Sequence, residues 1–222
     1  MGAELLVQAG WRRETQSLSA PRPTNYARSL FHFASAAVGL TTVALLPAHP
    51  GVILAIALTF ATYAWSMEIG RRVSPRMNAW LMRLYAPVAH PHEANHVNSA
   101  TWYATALVFL ALFASRPATM AGLAVLGVAD PLAGIVGRRW GTHTLRAGRS
   151  LEGSLTFVVV GAAVAAIALA FTDGLSPGRL ACFAVLSGVT GAFAELFSTR
   201  LDDNLTIPVA VGSAVTLAAS LV

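Results

Sequence analysis

Residues 118–137 have the sequence ATMAGLAVLGVADPLAGIVG, and this stretch decides the fold. A membrane-spanning helix needs about 20 mostly apolar residues, and the stretch supplies them. Asp130 is its one charged residue. Directly after the stretch come Arg138 and Arg139. A carboxylate this deep in an apolar helix costs on the order of 2–3 kcal/mol or more unless it has a partner or a polar cavity. The stretch therefore predicts a transmembrane helix that carries a functional acid.

The whole chain has the composition of a membrane protein. Of its 222 residues, 55% are hydrophobic and 11% are charged, which is too apolar for a soluble domain. We predict an all-α integral membrane protein with a cytoplasmic tail over residues 1–25 and a single polytopic membrane domain over residues 26–222. About seven transmembrane helices are expected, at roughly 26–46, 50–69, 98–115, 118–137, 153–172, 179–198 and 205–222.

The arginines predict the orientation of these spans. All the arginines except Arg116 and Arg179 lie in segments that the predicted spans place on one side of the membrane. These segments are the N-terminal tail, the start of the first span and the loops at 70–97, 138–152 and 199–204. Cytoplasmic loops of membrane proteins are enriched in Arg and Lys, so we expect a cytoplasmic N-terminus in the inner or cytoplasmic membrane.

Composition also excludes several classes of function. The chain has no Lys, which rules out a P-loop and Schiff-base chemistry, so phosphate recognition falls to arginines, backbone amides and metal ions. Its net charge of +5 fits positive loops beside anionic lipids, and we expect no nucleic-acid partner. A single cysteine, Cys182, allows no disulfide framework.

The N-terminal half holds weaker polar signals. Arg28 and His32 share one helix face, either as functional groups or as an interfacial arginine and a packed histidine. Glu68 near the end of the second span has Arg71 and Arg72 as intrahelical ion-pair partners.

An amphipathic segment follows the second span. Ser74 and Pro75 are a plausible N-cap and first helical residue, and the segment 76–86 predicts an interfacial helix on the inner leaflet. The side chains from His90 to His96 are metal-capable, but their spacing matches no zinc site.

The segment after Asp130 predicts a phosphate-binding surface, because its glycines allow close backbone approach and its arginines supply donors. The candidate binding residues are Gly137, Arg138, Arg139, Gly141, Arg149, Ser150, Glu152 and Gly153. Ser150 and Glu152 are equally explained as the cap and the first turn of the next helix.

Glu195 and the run Asp202-Asp203-Asn204 form the last polar cluster. Carboxylate and amide oxygens suit Mg²⁺, although Asp203 or Asn204 alternatively caps the last span. Acidic and arginine-bearing segments on one leaflet together predict metal-assisted phosphoryl transfer.

Two of these segments resemble a known family. Together they are similar to the signature of the CTP-dependent lipid kinases. The first runs from Ala129-Asp130-Pro131 to Gly141, and the second is Arg149-Ser-Leu-Glu-Gly-Ser154. That family includes dolichol and polyprenol kinases, phytol and farnesol kinases, and CTP-dependent diacylglycerol kinases. The run 202–208 resembles its C-terminal signature. The chain departs from the family pattern at Ala129, where Gly is usual, and at Arg149, where Lys is usual.

The resemblance implies transfer of the terminal phosphate of CTP to the hydroxyl of a membrane lipid alcohol. It implies Mg²⁺ as cofactor and CTP as co-substrate. An isoprenoid alcohol such as phytol, farnesol or a polyprenol is the favoured acceptor, and diacylglycerol comes next. On this basis the expected metal ligands are Asp130, Asp202 and Asp203, supported by Asn204. The phosphate-neutralising residues are Arg138, Arg139 and Arg149, and Glu195 or His32 is the general base, with Asp130 also in the catalytic set.

Two other functions stay open at the level of sequence. A CTP:lipid-phosphate cytidylyltransferase shares CTP, Mg²⁺ and acidic clusters but releases pyrophosphate. A non-enzymatic transporter with an ion site at Asp130 is less favoured, because transporters place polar groups near the midplane and on both sides.

Overall fold

The computed structural model describes residues 25–46, 49–88, 96–172, 174–198 and 201–221. Its helices, numbered here in chain order, are α1 (Tyr26–Leu45), α2 (Pro50–Val73), α3 (Pro75–Tyr85), α4 (Ser99–Phe113), α5 (Arg116–Trp140), α6 (Leu151–Ala170), α7 (Pro177–Phe197) and α8 (Asp203–Leu221). A short 3₁₀ turn, Arg146–Gly148, lies between α5 and α6.

The all-α prediction is confirmed in the described residues, whereas the predicted number of spans is not. Within these residues five helices, α2, α5, α6, α7 and α8, are long and apolar enough to cross a membrane. Helices α1 and α4 are not among these five, and α4 has only 15 residues. Seven spans, and the orientation that the arginines predict, therefore stay predictions. The predicted tail lies almost entirely outside the described residues.

Helix α5 lies at the centre of the bundle. In its most apolar stretch 56% of the residues are buried, compared with 22% to 39% in the other four candidate spans. It packs against α1, α6 and α8. The outer helices instead expose large apolar side chains, such as Val159 and Leu217, which is the pattern of helices that face lipid.

One π-helical turn, Val125–Ala129, interrupts α5 directly before Asp130. Pro131 has no N–H group, so it cannot make the regular hydrogen bond of an α-helix at this point. Within the turn, a Cβ atom at Gly127 would overlap the side chain of Ala36. Gly127 therefore allows α1 to approach α5 closely beside Asp130, and π-turns are frequent at functional sites.

Helix α3 forms as the sequence predicts. The Ser74 hydroxyl accepts a hydrogen bond from the backbone N–H of Met77 at 3.3 Å and caps the helix. Leu81 is buried, whereas Trp80 and Leu84 are exposed. The location of α3 at a membrane interface stays a prediction. Of the metal-capable segment, residues 90–95 lie outside the described residues.

Candidate functional site

Polar side chains from several helices meet at one end of the bundle. Helices α1, α4 and α8 begin at this end, α7 ends there, and Asp130 lies about three turns before the end of α5. Residues far apart in the chain thus come together into one group, called here the acidic cluster. It consists of Asp130, Glu195, Asp202 and Asp203, with Arg28, His32, Ser99, Arg149 and Asn204 around them.

Asp130 is the acid of the acidic cluster that lies farthest from the end of its own helix. Its Oδ2 atom lies 4.0 Å from Nδ1 of His32, and the two side chains are 15% and 9% exposed. Its carboxylate also interacts electrostatically with Glu195, Arg149 and Arg28. The costly burial predicted for this residue is thus offset by positive partners and by the polar groups of the acidic cluster.

The start of α8 supplies the other two aspartates. Asp202 Oδ1 accepts hydrogen bonds from the backbone N–H of Asn204 at 2.9 Å and from its Nδ2 at 2.6 Å. The cap of α8 is therefore Asp202, so the alternative that Asp203 or Asn204 caps this helix is wrong. Asn204 Nδ2 also donates to Asp203 at 3.3 Å, which holds the two carboxylates side by side.

Arg149 is the cation shared by the acids. Its Nη1 forms an ion pair with Glu195, and its Nη2 lies 3.7 Å from Asp203. The loop that carries it is closed by two backbone hydrogen bonds, from Leu145 to Arg149 at 2.7 Å and from Leu151 to His143 at 2.8 Å. The loop is therefore held in a defined position that directs Arg149 toward the acids.

Ser99 links two sides of the acidic cluster, although it belongs to none of the motifs that the sequence offers. Its hydroxyl accepts a hydrogen bond from Arg28 Nη2 at 3.1 Å and donates one to Asp202 at 2.8 Å. Arg28 also donates to the carbonyl of Val88 at 3.2 Å. Asn98 caps α4 in front of Ser99. An Asn-Ser pair before an apolar run indicates a helix start, but it carries no sign of a partner 103 residues away.

Ser150 caps α6, in agreement with one of its two interpretations. Its Oγ accepts a hydrogen bond from the N–H of Gly153 at 3.1 Å. A Cβ atom at Gly137 or Gly141 would lie 2.9 or 2.6 Å from that Oγ. These glycines thus serve close packing of the end of α5 on the start of α6, and their role toward phosphate stays a proposal.

The two arginines at the end of α5 have different surroundings. Arg138 turns back over Gly134 and interacts electrostatically with Asp130. Arg139 instead lies over the ring of Trp140, 5.2 Å from its centroid, in a cation–π contact. Arg138 is therefore the one of the pair that lies at the rim of the acidic cluster.

Glu152 contacts the loop before α6. Its Oε1 accepts a hydrogen bond from Thr142 Oγ1 at 2.5 Å and lies 2.9 Å from Nδ1 of His143. These contacts fix the loop that positions Arg149.

Glu68 forms the predicted ion pairs. Arg71 Nε donates to it at 2.8 Å and Arg72 Nε at 2.7 Å, and the N–H of Asn98 donates at 3.2 Å. Both Glu68 and Arg71 are buried. The network therefore ties the end of α2 to the start of α4, next to Ser99.

A cavity of about 250 Å³ lies against the acidic cluster. Arg28, His32, Ser99 and Asn204 line its polar side, and most of its remaining wall is apolar, with residues such as Phe60. Glu195 does not line this cavity. Polar groups and an apolar wall in one cavity are suited to the head of an amphiphile.

The acids do not form a preformed metal cage. Within the residues that the structure describes, no three His, Cys, Asp or Glu side chains are placed to hold a metal ion by themselves. Mg²⁺ usually takes only one or two protein carboxylates and completes its shell with water and substrate phosphates. The donor set of adjacent carboxylate and amide oxygens fits that pattern.

Three curated proteins are similar to this chain. CTP-dependent diacylglycerol kinase 1 of Schizosaccharomyces pombe is 32% identical over 159 residues, 66% of this chain and 72% of that protein. Phytol kinase of Synechocystis sp. is 35% identical over 96 residues, 42% of this chain and 40% of that protein. CTP-dependent diacylglycerol kinase 1 of Saccharomyces cerevisiae is 29% identical over 156 residues, 61% of this chain and 53% of that protein.

The fold and the acidic cluster define a helical, membrane-embedded protein with a charged centre at one end of its bundle. From the similarity, the chain belongs to the family of CTP-dependent lipid kinases, as its motifs predicted. No family model matches the chain, and no solved structure matches it.

Proposed function

We propose that this protein transfers the γ-phosphate of CTP to the hydroxyl of a membrane lipid alcohol at the cytoplasmic face of the membrane. The observation that carries the proposal is the contact between the acidic cluster and a cavity with largely apolar walls. A water-soluble nucleotide and a lipid hydroxyl must meet where polar and apolar surfaces join. The relatives, named as diacylglycerol and phytol kinases, support this reaction.

The charge balance of the acidic cluster supports Mg²⁺ as a cofactor. The carboxylates of Asp130, Glu195, Asp202 and Asp203 outnumber the guanidinium groups within the acidic cluster, so a bare triphosphate would meet repulsion there. Asp130, Asp202 and Asp203 would hold the ion, with Asn204 fixing the last two. When bound, Mg²⁺ would neutralise charge on the phosphates and align them for in-line transfer.

The arginines would position the nucleotide. Arg149 already lies between two acids, and Arg138 lies at the rim of the acidic cluster, so both can donate to phosphate oxygens as these approach. The outer part of the phosphate-binding surface would consist of Arg139, beside Trp140, and the backbone from Gly137 to Gly141.

His32 is the better of the two candidates for general base. It lines the cavity and faces Asp130, whereas Glu195 is buried in an ion pair with Arg149 and lies outside the cavity wall. In this mechanism neutral His32 accepts the proton of the lipid hydroxyl, and the oxygen of that hydroxyl forms a bond to the γ-phosphorus of CTP. The bond from that phosphorus to the bridging oxygen breaks, and CDP leaves. Asp130 stabilises the resulting imidazolium.

The test is phosphate transfer by the purified protein in detergent. CTP or ATP labelled at the γ-phosphate is supplied with Mg²⁺ and with phytol, farnesol, a polyprenol or diacylglycerol. Label from CTP in a lipid phosphate is the expected result. Transfer of cytidylate from α-labelled CTP to a lipid phosphate would replace the kinase with a cytidylyltransferase.

Two variants test the metal site. Asp130→Asn and Asp203→Asn should each abolish transfer, because either change removes a negative oxygen donor, while thermal unfolding in detergent still shows a folded protein. Full activity in either variant removes that residue from the site. Asp173→Asn changes an acid that lies outside the acidic motifs and should leave transfer unchanged.

A further inference from the structure

A second, apolar groove adjoins the cavity beside the acidic cluster. It has a volume of about 430 Å³ and is walled by α1, α2, α4 and the first half of α5. Its lining is almost wholly apolar and includes Val38, Ile56, Ala57, Leu107 and Leu123. Several wall residues are exposed on the outside of the bundle, Val38 to 68% and Ile56 to 46%. The groove is therefore accessible sideways, from the region that lipid would occupy.

The groove and the cavity share part of their walls. Phe31, Ser35, Phe60 and Tyr103 line both of them. The Tyr103 hydroxyl donates a hydrogen bond to the carbonyl of Ser35 at 3.1 Å, so the polar atoms at this junction are paired. The apolar groove thus adjoins, along α1, the cavity that His32 lines.

The packing of the helices explains why a groove exists here. Helix α1 packs against α5, with Gly127 allowing the close approach, and α2 packs against α4. Helices α1 and α2 are consecutive, yet in the described part of the chain they make little direct contact. The space between them is the groove.

From this geometry we infer that the groove binds the hydrocarbon chain of a single-chain lipid alcohol, with its hydroxyl in the cavity beside His32. The inference rests on the proposed function for the position of the hydroxyl. Most of the remaining cavity wall is apolar, but Arg28, Glu68, Arg71 and Asn98 also line it. A second chain lying in the cavity would bring hydrocarbon against these polar groups, which is unfavourable. A single-chain alcohol, with its chain in the groove, avoids that contact, and diacylglycerol fits the two spaces less well.

Ala34 and Ala37 provide a matched pair of variants. Both are exposed on α1, but only Ala34 lines the groove. Ala34→Phe should raise the KM for phytol about tenfold, because it overpacks the chain site, and Ala37→Phe should leave it unchanged. The KM for geraniol, whose short chain does not extend along the groove, should be unchanged in both variants.

A binding measurement separates this inference from the proposed function. A phytol analogue with a photoactivatable group on its chain is crosslinked to the full-length protein in lipid nanodiscs, and the labelled residues are mapped by mass spectrometry. We expect label on α1, α2 and α4 along the groove, displaced by excess phytol and reduced in Ala34→Phe.

Each other outcome has a defined meaning. Label outside the groove, label that phytol does not displace, or equal behaviour of the two variants would overturn the inference. Stronger displacement by diacylglycerol than by phytol would overturn the single-chain assignment. Specific label in the groove without phosphorylation of any alcohol would support the binding site and reject the kinase reaction.

Discussion

Ser99 gives the sharpest test of how the acidic cluster is held together. Its hydroxyl joins Arg28 to Asp202 through hydrogen bonds of 3.1 and 2.8 Å, and Ser99 is only 9% exposed. Hydrogen bonds to charged groups contribute about 1.5–3 kcal/mol each. Ser99→Ala removes both bonds, and water replaces the hydroxyl only in part. A loss of about 1.5 kcal/mol in the transition state corresponds to a roughly tenfold fall in kcat/KM.

The assay is the initial rate of lipid phosphorylation at varied CTP, with thermal unfolding measured on the same samples. Ser66→Ala is the control, because the exposed Ser66 hydroxyl donates to the carbonyl of Thr62 within its own helix, at 2.7 Å. Unchanged kcat/KM in Ser99→Ala would refute the reasoning. A fall in thermal stability with full activity per folded molecule would show that the serine is only a structural link between α4 and α8.

Three further variants test the surrounding structure. Glu68→Gln should lower the free energy of unfolding by about 3 kcal/mol, because it leaves a buried arginine without its charge partner; an unchanged melting temperature would contradict this. His32→Gln should lower kcat by a factor of about 10² or more, and Glu195→Gln should mainly raise the KM for CTP; the reverse pattern would make Glu195 the base. Gly127→Ala should lower both stability and kcat, because its Cβ would separate α1 from α5. Gly51→Ala, with open space around it, is the matched control and should change neither.

The positions of the helices were largely predictable, because hydropathy reports directly which segments are apolar. In position, the helix predicted at 26–46 matches α1 and the helix predicted at 50–69 falls within α2, although the crossing of a membrane by α1 stays a prediction. Helix α5 is longer than predicted at both ends and runs to Trp140, because the hydrogen bonds of a helix continue past the point where hydropathy falls. The π-turn before Asp130 was not predicted.

The site was predictable only where a residue is chemically unusual in its own segment. Asp130 was identified because a carboxylate in an apolar helix is costly, and the structure brings it together with Asp202 and Asp203. Ser99 could not be found in this way. A serine at the start of a helix is ordinary, and its role arises from a contact with a distant segment. The binding of Mg²⁺ by the three aspartates stays a prediction.

The apolar groove shows a different limit, because the pairing of helices was harder to predict from the sequence than their positions. Consecutive helices are usually neighbours in space, so an apolar α1 followed by an apolar α2 predicts a packed pair. In the structure, Gly127 instead brings α1 onto α5, and α2 pairs with α4. The absence of one Cβ atom thus helps to determine both the approach of His32 to Asp130 and the opening of the groove beside them. If this is correct, a larger residue at position 127 would disturb the catalytic contact and the lipid path together, whereas Ala34→Phe would disturb the lipid path alone.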